Sequence, residues 1–202
     1  SKIKTPISLV FLIGFPRSGT TLLDSILSCH SNINVVEEKP MLYNCLKHLP
    51  ENEHINIQNH NIETAKEKYL KELENNIGNL SKYKEKIIID KMPLNLIYIK
   101  SINKIFPNAK IIFCVRHPLD CVFSCYTQNF KINEAMVTFL DLIRSAELYD
   151  KSMELFNCNK VPKKLIHNIK YEKLIKNFEP EIKKITNFLK LNWDKKIINF
   201  HT

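Results

Sequence analysis

A glycine-flanked loop and a set of charged residues that follow apolar runs carry the chemistry of this 202-residue chain. The loop is Gly14-Phe15-Pro16-Arg17-Ser18-Gly19-Thr20-Thr21, set between an apolar run and an apolar helical pattern. Such a loop turns backbone N–H groups and the positive end of a helix dipole toward one anion. Loops that hold a magnesium triphosphate read G-x-x-x-x-G-K-[ST], with the lysine on the terminal phosphates and the hydroxyl on the metal. Here the glycine spacing and the Thr21 hydroxyl are kept, but Thr20 stands where the lysine belongs and a cation, Arg17, lies inside the loop. The expected anion is therefore not a magnesium triphosphate. Only three glycines occur in the chain, and two of them flank this loop. Glycine costs backbone entropy, so their placement points to a tight turn or a close approach.

The other charges recur in the same grammar. Glu37 and Glu38 follow a second apolar run, Asp90 and Lys91 a third, and Arg116, His117 and Asp120 a fourth. Any one of these could cap a helix or solvate a sheet edge. Together at one sheet edge they predict a site for a polyanion with an acid/base group beside it.

Positioning these residues requires strands that end where the charges begin. Short apolar runs predict buried parallel strands over residues 9–13, 34–36, 87–89, 111–115 and 165–168. Helical patterns lie between them over 20–29, 62–76, 94–106, 119–128, 133–156 and 180–189. Alternation of this kind predicts an α/β fold: a P-loop-type parallel sheet of about five strands with helices on both faces, binding ligand beyond the strands' carboxyl ends. The polar stretch 48–86 is expected to be a mobile excursion or a helical insert. No internal repeat or linker is evident, and residues 1–202 are expected to form one domain.

Composition narrows the partners. A net charge of +9 would attract anionic nucleotides or acidic acceptors over long range. Nucleic acid is disfavoured, because no helix-turn-helix, aromatic-basic motif or zinc-finger spacing occurs. The six cysteines contain no C-x-x-C pair and read as free, mostly buried thiols of a reducing compartment, hence a cytoplasmic expectation. No apolar run approaches the ~20 residues of a membrane span.

The motifs also carry a family likeness. The segments GFPRSGTTLLDSILSCHSNINVVEE, DKMPLNLIYI and FPNAKIIFCVRHPLDCVFSCYTQNF, with the later Tyr171-Glu172-Lys173-Leu174, resemble the sulfotransferases that use 3′-phosphoadenosine 5′-phosphosulfate (PAPS). Among these the likeness is greatest to the tetratricopeptide-linked bacterial group related to tyrosylprotein sulfotransferases. The resemblance implies PAPS as donor, 3′-phosphoadenosine 5′-phosphate (PAP) as product and no metal. It places the 5′-phosphosulfate on Arg17, Ser18, Gly19, Thr20 and Thr21. Arg116 and Ser124 match the family's pair for the 3′-phosphate, where a planar guanidinium can grip phosphate by more than one bond. Tyr171 matches the tyrosine beside the adenine.

For catalysis the resemblance implies Glu38 as general base, with Glu37 as the alternative, and Lys91 and Arg17 as stabilisers of the leaving oxygen. A glutamate base works best when burial raises its pKa toward neutrality. His30 and His117 stay outside this set. The family pattern continues past Trp193 into a segment that closes over the nucleotide, so the chain is expected to be a fragment truncated at its C-terminal end, or else to lack part of that clamp. The acceptor stays open between an acidic peptide tyrosine, a glycan and a small-molecule hydroxyl, and a homodimer is compatible. Two other classes remain: a P-loop kinase that uses Asp90 for magnesium, and a noncatalytic nucleotide-binding or scaffold module.

Overall fold

The computed structural model describes residues 7–128 and 136–200. In chain order the elements are β1 (Ser8–Gly14), α1 (Thr20–Ser28), β2 (Ile33–Glu37), α2 (Met41–Leu46), α3 (Glu51–Ile55), α4 (Ile62–Ile77), β3 (Ile87–Lys91), α5 (Ile99–Ile105), β4 (Lys110–Val115), α6 (Pro118–Thr127), α7 (Leu142–Cys158), β5 (Ile166–Lys170), α8 (Tyr171–Lys176) and α9 (Phe178–Leu189). The strands form one five-stranded sheet in the order β2-β3-β1-β4-β5. Every pairing is parallel. The central strand β1 is buried from Leu9 onward, which is why it reads as an unbroken apolar run rather than an alternating one.

Alternate residues of β1 serve two separate cores. Leu9, Phe11 and Ile13 pack against α2, α4, α5 and α7, and the Phe11 ring meets Tyr69 and Phe106 at 6.0 and 5.8 Å. Val10 and Leu12 face the other way, into a cluster with Leu23 and Ile26 of α1 and Ile182 and Ile185 of α9. Each fully buried side chain of this size contributes about 1.5–3 kcal/mol relative to exposure. Helices on both faces and a parallel sheet are thus as the sequence reading expects. Residues 48–86 are largely helical, with Tyr69 and Leu73 of α4 fully buried, so this stretch is a helical insert tied to the core.

Two element boundaries differ most from the sequence expectation. Residues 93–98 form a 3₁₀ segment before α5, because Met92 is extended ahead of Pro93 and the chain must then turn tightly. The long helix expected over 133–156 begins at Leu142, where the Asp141 side chain accepts the Arg144 N–H at 2.9 Å, and a 3₁₀ turn at Met136–Leu140 precedes it. Positions 133–135 of that expectation lie outside the described residues. All six cysteines are free thiols; four are buried, Cys29 is half-buried and Cys158 is exposed. No helix among the described residues is long and apolar enough to cross a membrane.

Candidate active site

The loop after β1 is tight for identifiable reasons. A Cβ on Gly14 would stand 2.5 Å from Ser18 Oγ and 2.7 Å from the Cys114 carbonyl oxygen. Gly19 has φ +98°, and a Cβ there would lie 2.5 Å from the Tyr171 ring. Arg17 adopts φ 69°, an unusual backbone state for a non-glycine residue. At the start of α1 the Leu23 N–H donates to the Gly19 carbonyl at 3.1 Å. The N–H groups of Thr20, Thr21 and Leu22 therefore belong to the open first turn of α1. Ser18 Oγ is buried with no hydrogen-bond partner. An open helix end, a buried unpaired hydroxyl and backbone too close for side chains fit a bound anion such as phosphate.

Arg17, Arg116, Ser124 and Tyr171 come together around this loop. Arg17 donates from Nε to Ser124 Oγ at 3.0 Å, and Arg116 donates from Nη1 to the Arg17 carbonyl at 3.2 Å. The Arg116 guanidinium lies 4.7 Å over the Tyr171 ring, which itself backs onto Gly19. Pro118 opens α6 at its first turn, so Ser124 follows Arg116 onto the same side of the site. Arg116 Nε also lies 3.6 Å from Asp120 Oδ2, an ion pair too long to be a hydrogen bond. A groove of about 830 Å³ opens beside Arg116 and Ser124, with Leu119, Phe123, Leu142 and Ile143 among its walls.

The second centre is Lys91, whose side chain is fully buried at the end of β3. Its Nζ donates to Glu38 Oε1 at 2.8 Å and to Glu37 Oε1 at 2.9 Å, and Asp24 Oδ2 lies 3.6 Å away. Register explains the first two: Glu37 of β2 is the ladder partner of Lys91, and the Glu38 N–H donates to the Lys91 carbonyl at 2.8 Å. Glu38 has φ 47°, a second left-handed non-glycine residue in the site. Burial opposes charge on Lys91, but the hydrogen bonds to Glu38 and Glu37 outweigh it and hold its pKa above the usual lysine value. The Lys91 hydrogen bond holds Glu37 below the usual carboxylate range.

One sequence expectation needs correction here, one favourable condition is not met, and one residue of the site was missed. Glu38 is not buried: its side chain is 55% exposed, against 58% for Glu37. Asp90 leaves the site altogether. Successive strand residues point to opposite faces, so Lys91 faces α1 while Asp90 faces α4, where the Tyr69 hydroxyl donates to its Oδ2 at 2.7 Å. This removes the placement that a magnesium role for Asp90 would require. Asp24, on α1, was not singled out from sequence at all. The only signal was its position one helical turn beyond Thr20, a carboxylate inside an otherwise apolar stretch. His30 stays outside, with one ring nitrogen 3.0 Å from the Asn192 carbonyl and the other accepting the Asn32 N–H.

The buried Asp90 has a measurable consequence. Burial pushes its carboxyl up to about 7 against the Tyr69 hydrogen bond, from an ordinary 3.8. Between those values the folded state holds the proton that the unfolded chain has lost, so this group's contribution to stability falls as pH rises from about 4 to about 7. The slope from one such proton is at most ~1.4 kcal/mol per pH unit. Asp90→Asn is expected to flatten that decline, read as the difference between wild-type and variant urea midpoints from pH 5 to 7.5. Parallel curves would contradict the assignment.

A parallel sheet in this order, an anion loop at the end of its central strand and a buried lysine under paired glutamates define a nucleotide-type group-transfer fold. Within that class, the family model for the sulfotransferase family matches residues 9–195. The chain belongs to the sulfotransferase family. A Drosophila melanogaster protein-tyrosine sulfotransferase is 25% identical over 211 residues, covering 95% of this chain and 40% of that protein. The chain spans 26% of the length of one curated relative and 69% of another. The sulfotransferase domain from the curacin biosynthetic pathway superposes with a TM-score of 0.67 at 18% identity, covering all of this chain and 79% of that one. A mouse sulfotransferase solved with PAP superposes with a TM-score of 0.55 at 19% identity, over 98% of this chain and 64% of that one. These two show a common fold.

Proposed function

We propose that this chain transfers a sulfuryl group from PAPS to an acceptor hydroxyl by in-line displacement. The observation that carries the reading is the pairing of two anion-binding groups. Arg17 in the loop and Arg116 with Ser124 beyond β4 lie in direct hydrogen-bond contact. A donor with a 5′-phosphosulfate and a 3′-phosphate asks for two such groups side by side. The amides of Gly19 to Thr21, the hydroxyls of Ser18, Thr20 and Thr21 and the Arg17 guanidinium would take the 5′ end, the Ser18 amide being given to the Phe15 carbonyl at 3.1 Å. Arg116 and Ser124 would take the 3′-phosphate, and Tyr171 would stand beside the adenine. The apolar-walled groove next to Ser124 suits the uncharged part of a nucleotide or acceptor.

In the transfer, the acceptor oxygen forms its bond to sulfur as the bond from sulfur to the phosphate oxygen breaks. Glu38 takes the acceptor proton. Lys91 and Arg17 meet the negative charge that grows on the departing phosphate, so fixed cations supply what the reading requires without calling on a metal. Its Oε1 holds Lys91, which leaves Oε2 for the proton, and its exposure lets the acceptor reach it. The acceptor would be a hydroxyl on an acidic peptide, a glycan or a small molecule. The family model, which matches residues 9–195, supports reading this stretch as one sulfotransferase domain.

The test is a calorimetric titration with PAP and with magnesium ATP, followed by a labelled-sulfate assay against peptide, glycan and phenolic acceptors. Affinity for PAP at least tenfold above that for ATP, together with labelled product, is the expected result. Preference for magnesium ATP would place the chain with kinases. PAP binding without transfer to any acceptor would favour the noncatalytic module.

A further inference from the structure

Lys91 has three ammonium hydrogens and a buried stem. Two hydrogens go to Glu38 at 2.8 Å and Glu37 at 2.9 Å, both on side chains more than half exposed. The third carboxylate, Asp24, is different in kind. Its side chain is 9% exposed, it comes from α1 rather than β2, and it stops 3.6 Å short of the ammonium. A Glu38 that has taken a proton no longer offers Lys91 a negative charge, and a lysine that approaches a phosphate oxygen must open the cover that Glu37 and Glu38 form. A buried ammonium with no counter-charge sheds its proton.

We propose that Asp24 is a positioning residue, the resident counter-charge that keeps Lys91 protonated and aimed at the donor while Glu37 and Glu38 turn to the acceptor. The inference rests on the sulfuryl-transfer reading and adds to it a residue from outside the loop and strand-end motifs. Asp24 lies four residues beyond Thr20 on α1, so it stands over the same helix face as the loop threonine. One helical turn therefore ties the anion loop to the lysine. The groups that face this pair are Glu37 and Glu38 from the end of β2 and the residue after it, and Lys91 from β3. Burial pushes the Asp24 carboxyl up to about 6 against the pull of Lys91, with Glu37 adding to the rise. It is still mostly ionised at neutral pH, as a counter-charge must be.

Two measurements test this. In Glu37→Gln/Glu38→Gln protein, which imitates the departed glutamates, NMR of the Lys91 side chain should show its titration midpoint falling by at least about one pH unit when Asp24→Asn is added. An unchanged midpoint overturns the proposal. In the otherwise wild-type protein, Asp24→Asn should lower kcat about tenfold, less than the ~100-fold typical of removing a direct donor. PAP affinity should stay within about twofold, and Asp24→Glu should recover most of the rate. Loss of kcat, PAP affinity and melting temperature in proportion, with no recovery by glutamate, would mark a merely structural carboxylate and overturn it. If wild-type protein transfers no labelled sulfate but the Lys91 midpoint moves as stated, the transfer reading fails and the counter-charge role stands.

Discussion

Lys91→Met is expected to lower sulfuryl transfer about 100- to 1,000-fold while PAP affinity changes less than about threefold. The magnitude follows from where the ammonium sits. Its side chain is fully buried, so its charge acts at low dielectric and needs no reorganisation when negative charge builds on a leaving oxygen. Methionine keeps the length and apolar stem and removes only the cation, so lost rate reads lost electrostatics rather than a cavity. The variant also leaves Asp24, Glu37 and Glu38 facing one another without their shared partner. Their mutual repulsion should raise the protonation midpoint of the group, and some loss of melting temperature should accompany it. Single-turnover transfer with labelled donor separates the two effects, because it is read at saturating donor on folded protein. A rate within tenfold of wild type would remove Lys91 from the chemistry.

Glu38→Gln should cost about 100- to 10,000-fold in transfer, the range for loss of a general base, whereas Glu37→Gln should cost less than about tenfold. Contact with Lys91 does not separate the two, since both carboxylates reach Nζ and both are more than half exposed. Backbone geometry does. Glu37 is an ordinary ladder residue opposite Lys91, while Glu38 is held at φ 47° just beyond the strand. A left-handed glutamate costs of order 1–3 kcal/mol and persists where the surrounding structure demands that side chain at that place. Glu38→Gly, which relieves the strain, should be no less stable than wild type by chemical denaturation and as inactive as Glu38→Gln. Equal losses from the two glutamine variants, or a larger loss at Glu37, would move the base back one residue.

Much of the architecture was written in local pattern. Parallel strands buried on both faces appear as short unbroken apolar runs, and the runs at 9–13 and 111–115 fall within β1 and β4. Glycine's rarity marks the loop in the sequence itself, and the close approach of Ser18, Cys114 and Tyr171 supplies the steric reason. The less legible boundaries were those set by a single residue's backbone state, as at Met92 before Pro93, or by a cap, as at Asp141. Periodicity does not see either.

Within the site, amino-acid order alone puts Arg17, Glu37 with Glu38, Lys91 and Arg116 after successive apolar runs, beside a glycine-flanked loop that lacks the usual lysine, while Ser124 and the choice of Glu38 come from the family resemblance. Arg17, Glu38, Lys91 and Arg116 each close or follow one strand, strand ends in a parallel sheet share an edge, and Ser124 joins them from α6. Three matters needed the tertiary structure. The parity of β3 sent Asp90 to Tyr69 and Lys91 to the α1 face, a choice that adjacent residues in a sequence do not reveal. The β2–β3 register set Glu37 beside Lys91 and left Glu38 exposed rather than buried, because exposure depends on what else covers the sheet edge. Asp24 entered the cluster only because α1 packs across β3, bringing a carboxylate to a lysine 67 positions further along the chain. Distance through space between separate elements is a property of packing, and no local pattern in the chain encodes it.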